Sequence, residues 1–139
     1  MSKQKLIDGL NEDLAAELGT VIRYTYQAAK CEGLAAATLR KLLASEAQDE
    51  LGHATYLMDV IADLGGEPTT TPRPFDKPQD IKGMIELNVK MEAEDVENYL
   101  AHAALAEELG LADVKMKLEE MAADEAGHGR ELRRLLKGL

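Results

Sequence analysis

Apolar residues recur along this chain at steps of three and four. Leu6, Leu10, Leu14, Val21 and Ala28 form one stripe, and Leu39, Leu42, Leu43, Leu57 and Ile61 a second. Ile81, Ile85, Val89, Val96, Leu100 and Leu105 form a third, followed by Val114, Leu118, Leu132 and Leu135. That period puts each set on one face of an α-helix. Between the stripes lie helix-ending signals: Gly33 closes the first and Gly110 the third, glycine being the residue that best ends a helix. All four prolines fall within GGEPTTTPRPFDKPQ. Proline has no N–H and restricts its predecessor, so this stretch cannot be helix interior. The spacing predicts helices over about 3–32, 35–64, 78–108 and 112–137, with a crossover at 65–77, in a single domain spanning 1–139. Each helix is roughly 40 Å long. Short turns make neighbours antiparallel, and the crossover is long enough to run the length of the bundle. The expected fold is all-α: an antiparallel four-helix bundle of two hairpins joined by a long crossover.

The polar positions carry a second pattern. Glu17, Tyr24, Asp49, Glu50, Gly52 and His53 recur at one constant offset, without a gap, as Glu92, Tyr99, Asp124, Glu125, Gly127 and His128. The shared core reads DELGH at 49–53 and DEAGH at 124–128. Each is preceded by a glutamate at the same interval, Glu17 before Glu50 and Glu92 before Glu125. In an antiparallel hairpin, residues equidistant from the turn sit at one level, which brings Glu17 level with Glu50 and Glu92 level with Glu125. Glu50 and His53 are three residues apart, about 60° around a helix, so both reach one centre; Glu125 and His128 do the same. Four carboxylates turned into a bundle core cannot all stay ionised without partners. Two divalent metals would balance them, with neutral imidazoles completing the set. The alternative is an exposed acidic stripe, which the matched histidines argue against. Carboxylate with imidazole and no thiolate favours iron or manganese over structural zinc.

Composition narrows the picture further. The chain has 139 residues, is 45% hydrophobic and 30% charged, and has no Trp, a mixture that suits a globular helical domain. A formal charge of −10 argues against nucleic acid, which demands a basic face. One cysteine, Cys31, rules out an internal disulfide. No apolar run approaches a membrane span and the N-terminus is charged, so a cytoplasmic protein with no membrane partner is expected.

These motifs resemble the bacterioferritin family of ferritin-like di-iron carboxylate proteins, in which two helices give one Glu each and the other two give Glu-x-x-His. The resemblance runs from about Leu6 to Leu136. LNEDLAAELGTVIRYTYQA is similar to the family's first helix, SEAQDELGHA and MEAEDVENYLAHA to its second and third, and AADEAGHGREL to its fourth. It implies that Glu50 and Glu125 bridge two Fe ions (or Mn), that Glu17 with His53 caps one, and that Glu92 with His128 caps the other. Tyr24, seven residues after Glu17, would hydrogen-bond near the metals or donate an electron, and Tyr99 stands likewise to Glu92; core packing is the other reading of both. Asp49 and Asp124 would hold the histidine ring N–H groups or else lie on the surface. The implied activity is ferroxidation, with Fe²⁺ as substrate and O₂ or H₂O₂ as oxidant, serving iron storage and detoxification. Rubrerythrin-like peroxide reduction, a non-enzymatic metal-binding bundle and a metal-free interaction module are the alternatives.

The chain also departs from that pattern. Leu51 stands where the family has its haem-binding Met, leaving Met58 as the one candidate haem ligand, two turns further on. Ser45 replaces a His of the family's inner-surface iron site, though Glu46 and Asp49 remain. There is neither a fifth helix nor a rubredoxin-like Cys-x-x-Cys module, so a homo-oligomer is expected, a dimer or a shell of about twelve subunits. Asp95 lies one turn after Glu92, where rubrerythrins carry an extra glutamate; simple exposure is the expectation for it.

Overall fold

A computed structural model describes residues 2–139. It contains four helices: α1 (Ser2–Lys30), α2 (Ala36–Asp63), α3 (Ile81–Glu108) and α4 (Ala112–Lys137). Among the described residues there is no strand, and no helix is long and apolar enough to cross a membrane. The molecule is an all-α four-helix bundle in which α1 pairs with α2 and α3 with α4.

The ends differ slightly from the sequence expectation, for local reasons. Helix α1 stops at Lys30 rather than 32, and Gly33 then turns the chain at φ +109°, a left-handed conformation that side chains resist. Gly110 does the same between α3 and α4 at φ +73°. Helix α3 begins at Ile81 rather than 78 because Asp80, in extended conformation, caps it: its side chain accepts the Gly83 N–H at 2.9 Å.

The interior is layered. One apolar cluster joins Leu6, Leu10, Leu57, Ile61, Leu118 and Met121 at one end of the bundle; a second joins Tyr24, Leu39, Leu43, Met84, Ile85 and Leu132 at the other. A buried polar layer separates them, holding Glu17, Glu50, His53, Glu92, Glu125 and His128. Leu100 is half exposed, because the neighbouring Tyr99 takes the inward position on α3.

The seam between α1 and α3 repeats the internal duplication in three dimensions. His102 Nδ1 lies 2.6 Å from Asp13 Oδ2, and Asn88 donates to Gln27 Oε1 at 2.7 Å. Positions 13 and 88, and 27 and 102, are related by the same offset that relates Glu17 to Glu92. One end of the seam therefore carries an acid–imidazole pair, and the other its uncharged counterpart.

The crossover is strapped across α1. Arg73 N donates to Ala15 O at 2.8 Å, Thr69 N donates to Asn11 Oδ1 at 2.8 Å, and Asn11 Nδ2 donates to Glu67 O at 3.1 Å. Gly19 permits this close approach: a Cβ there would sit 2.5 Å from Arg73 O. Backbone cannot swing aside as a side-chain tip can, so Gly19→Ala should loosen the strap. The expected loss is about 1–3 kcal/mol, the usual cost of overpacking, read as a lower denaturant midpoint. An unchanged midpoint would show that the strap is not held by this contact.

Candidate metal centre

Each hairpin delivers three groups to the polar layer. Glu17 and Glu92 come from the middle of α1 and α3, and the Glu-x-x-His pairs from α2 and α4. One ligand atom from each of Glu17, Glu50, His53 and Glu125 falls within a 4.8 Å group, as does one from each of Glu50, Glu92, Glu125 and His128. The two groups share Glu50 and Glu125 and are otherwise distinct. All six positions singled out from the sequence are thus brought together and buried.

The two histidines face inward through Nδ1. His53 Nδ1 stands 3.3 Å from Glu125 Oε1 and 3.6 Å from Glu17 Oε2. His128 Nδ1 stands 3.2 Å from Glu50 Oε1 and 3.9 Å from Glu92 Oε2. Their Nε2 atoms face out, onto aspartates of the opposite hairpin: His53 to Asp124 at 2.9 Å, and His128 to Asp49 at 3.0 Å. Of the two readings open for those aspartates, partnership with the rings is the one realised, although both remain exposed. A carboxylate on the outer nitrogen sets the tautomer and turns the other lone pair toward the centre.

The tyrosines also cross between hairpins. Tyr24 does not bond Glu17 on its own helix; its hydroxyl donates to Glu92 Oε1. Tyr99 donates to Glu17 Oε1 at 2.5 Å. Each tyrosine thereby occupies one oxygen of a glutamate and leaves the other, Oε2, facing inward. A residue seven positions along a helix is two turns away, too far for a direct bond to Glu17, whereas the facing helix is within reach.

The donor set fits a pair of cations. Glu17 Oε2, Glu92 Oε2, both oxygens of Glu50 and of Glu125, and both Nδ1 atoms are buried without an aligned hydrogen-bond partner. Eight orphaned donor atoms in one layer are far outside the norm for a folded interior. Burial in this layer opposes ionisation of its acids. Burial, then the charge of Glu50, pushes the Glu17 carboxyl well above its usual range. Burial, then proton sharing with Glu50, does the same to Glu125, and burial raises Glu92. At Glu50 burial also opposes ionisation, but the proximity of Glu17, Glu125 and His128 overcomes it and lowers the group to about 2. At His128 burial works downward, yet the acceptor at Glu50 and the charges of Glu46, Glu50 and Glu92 raise it to about 10.

Two further acids differ from the expectation. Asp95 is not exposed but 3% accessible, with Oδ2 unpartnered and Arg73 Nη2 3.9 Å from Oδ1. Glu46 is buried too, with Oε1 unpartnered, instead of lying on a surface. Burial, reinforced by the charge of Glu92, raises Asp95 to about 8; burial, only partly offset by His128, raises Glu46 to about 8. The available signal was helical: Asp95 lies three residues after Glu92 and Glu46 four before Glu50, on the inward faces. Met58 is partly buried against the first apolar cluster, while Leu51 stays half exposed.

The ferritin-like domain family matches residues 7–139. Bacterioferritin of Brucella melitensis is 30% identical over 125 residues, covering 89% of this chain and 78% of that protein. A ferritin-like di-iron-carboxylate protein of Bacillus anthracis superposes with a TM-score of 0.96 at 40% identity, covering 98% of both chains. Bacterioferritin of Desulfovibrio desulfuricans, described with its di-iron site in different catalytic states, superposes at 0.82 with 25% identity, covering 98% of this chain and 80% of that one. A four-helix bundle with a doubled carboxylate–imidazole layer, matched by that family over nearly its whole length, belongs to the ferritin-like family and is a bacterioferritin homologue.

Proposed function

We propose that the centre binds two Fe²⁺ as substrate and that the protein is a ferroxidase acting in iron storage and detoxification. The observation that carries this reading is the set of eight buried, unpartnered donor atoms in two groups that share Glu50 and Glu125. Two bound Fe²⁺ would supply one electron each to O₂ or H₂O₂, with protons taken up by the reduced oxygen. The chain's own residues set the conditions for that exchange. Glu50 and Glu125 span both positions; Glu17 with His53, and Glu92 with His128, complete one each. Asp124 and Asp49 keep both Nδ1 lone pairs aimed inward. Tyr99 and Tyr24 restrain Glu17 and Glu92, and Tyr24, fully buried against Glu92, is also a candidate for supplying an electron. Mn²⁺ suits the same oxygen and nitrogen donors.

A self-associating protein fits the half-exposed Ile22 and Leu51 on the first hairpin, which a second copy would cover. A cytoplasmic location fits a chain whose one cysteine, Cys31, is a free thiol. The buried Asp95, a carboxylate beyond the four of the centre, favours peroxide reduction as the second reading. In that case the ferric pair stays bound and cycles, and no mineral accumulates.

Anaerobic titration of the metal-free protein with Fe²⁺, followed by O₂ or H₂O₂ and ferric absorbance, tests the proposal. Two irons per chain and oxidation within seconds are expected, and His128→Ala should remove one of the two. Binding without oxidant-dependent oxidation would leave a metal-holding bundle and overturn the ferroxidase.

A further inference from the structure

We infer that the groove between α3 and α4 is the port by which a small neutral or anionic oxidant reaches the centre, separate from the face that admits the cation. The inference rests on the proposed metal centre. A cavity of about 310 Å³ opens between these helices, with Glu92 and Glu125 among its lining residues. Both are buried and present unpartnered oxygens, so the groove leads from outside to acids shared with the centre.

Small side chains keep it open. Ala93, Ala126 and Gly129 line it, and a Cβ at Gly129 would come within 3.8 Å of Glu92 Cβ and 3.3 Å of Arg133 Nη1. The internal duplication supplies a comparison within the molecule. At the equivalent positions of the first copy, the first hairpin carries Leu18, Leu51 and Ala54. Leu18 packs against the apolar cluster and Ala54 is buried in it. All three positions are larger in the first copy and smaller in the second, and the second copy has the groove.

The rim determines what can use it. Ile22, Thr55 and Met58 of the first hairpin correspond to Glu97, Arg130 and Arg133 of the second. Two guanidinium groups against one carboxylate disfavour Fe²⁺ and accept O₂, H₂O₂ or a small anion. The opposite character is found between α2 and α4, where a cavity of about 330 Å³ is lined by Asp49, His53 and Asp124, with Lys117 the one cation. That acidic face attracts the metal, and the two reactants arrive by different doors.

The test copies the first hairpin into the second, with Ala93→Leu and Ala126→Leu combined. Both sites are outside the fully buried core, and their leucines are tolerated at the mirror positions. Co²⁺ replaces iron, and azide is the probe. Stopped-flow absorbance should show azide reaching the Co²⁺-loaded double variant at least tenfold more slowly than wild type. Co²⁺ stoichiometry and loading rate should be unchanged, and oxidation of bound Fe²⁺ should slow in parallel. Normal Co²⁺ loading with an azide rate within twofold of wild type overturns the port and leaves the ferroxidase standing. Co²⁺ loading slowed as much as azide overturns the separation of routes. Failure of wild type to take up Co²⁺ overturns the metal centre, and the port with it.

Discussion

Replacing Glu50 by alanine is expected to empty both halves of the centre, whereas replacing Glu17 or Glu92 should empty one. The asymmetry follows from geometry: Glu50 and Glu125 belong to both four-residue groups, while Glu17 and Glu92 each belong to one. Calorimetric titration with Fe²⁺ or Mn²⁺ under anaerobic conditions should give two ions per chain for wild type. It should give one for Glu17→Ala and none for Glu50→Ala at concentrations that saturate wild type. Groups that merely orient a ligand are commonly worth about 10–100-fold in affinity, so loss of a shared ligand should exceed about 100-fold at both positions. Oxidation of Fe²⁺ should fall with it. Circular dichroism of metal-free Glu50→Ala separates lost binding from lost fold. Two ions retained by folded Glu50→Ala would show that the sites do not share this residue.

The second large effect is a metal-free protein that becomes less stable as pH rises from about 5 to 9. Glu17, Glu92 and Glu125 have folded-state pKa values raised chiefly by burial, and Glu46 and Asp95 are raised to about 8. Between their ordinary carboxylate range and these raised values, the folded chain holds protons that the unfolded chain has released. The stability contributed by such groups is present at low pH and is lost as pH climbs through the folded values. His128, raised to about 10, contributes in the same direction above its ordinary range near 6.5. Glu50, lowered to about 2, acts in the opposite sense, but only as pH falls below about 4.5.

A mismatch of one pKa unit is worth ~1.4 kcal/mol, and each ~1 kcal/mol moves Tm by ~4 °C for a domain of this size. A fall of at least about 5 °C between pH 5 and pH 8 is therefore expected. Saturating Mn²⁺ should reverse the trend, because metal displaces the protons and binds better as they become easier to remove. The net charge of −10 adds self-repulsion of the same sign. Glu46→Gln with Asp95→Asn keeps shape and removes two of the titrating groups, and should flatten the slope. A metal-free Tm that rises across this range would contradict the burial of protonated acids.

Much of this was legible in one dimension, and the reasons are specific. The helices could be read because Leu6, Leu10 and Leu14, or Val114 and Leu118, follow a helical period and go to buried faces. The crossover could be read because four prolines exclude a helix there. The six central residues could be read because the internal repeat preserved Glu, Glu and His together in both copies, which surface drift does not do.

The exceptions are equally physical. Asp95 and Glu46 look like ordinary helix-surface acids in sequence. Their helical positions put them on inward faces, but whether an acid at the margin of that face is covered depends on the neighbouring helices, and for Asp95 on Arg73 of the crossover. Tyr24 hydrogen-bonds at the centre, as its spacing suggests, but the partner is Glu92 on the facing helix, which spacing along one helix cannot name.

By itself, then, the sequence determined what is periodic: helix faces, turns, the hairpin duplication and the chemical identity of the central acids and imidazoles. Only tertiary structure decided what is relational. Tyr24 with Glu92, Tyr99 with Glu17, His53 with Asp124 and His128 with Asp49 all join one hairpin to the other. Such pairings depend on how two helical pairs rotate and stack, and packing sets that rotation through shape contributed by the whole chain. The groove at Ala93 and Ala126, where the first hairpin carries Leu18 and Leu51, is of the same kind. It is a matter of volume on facing surfaces, and facing surfaces exist only once the bundle has closed.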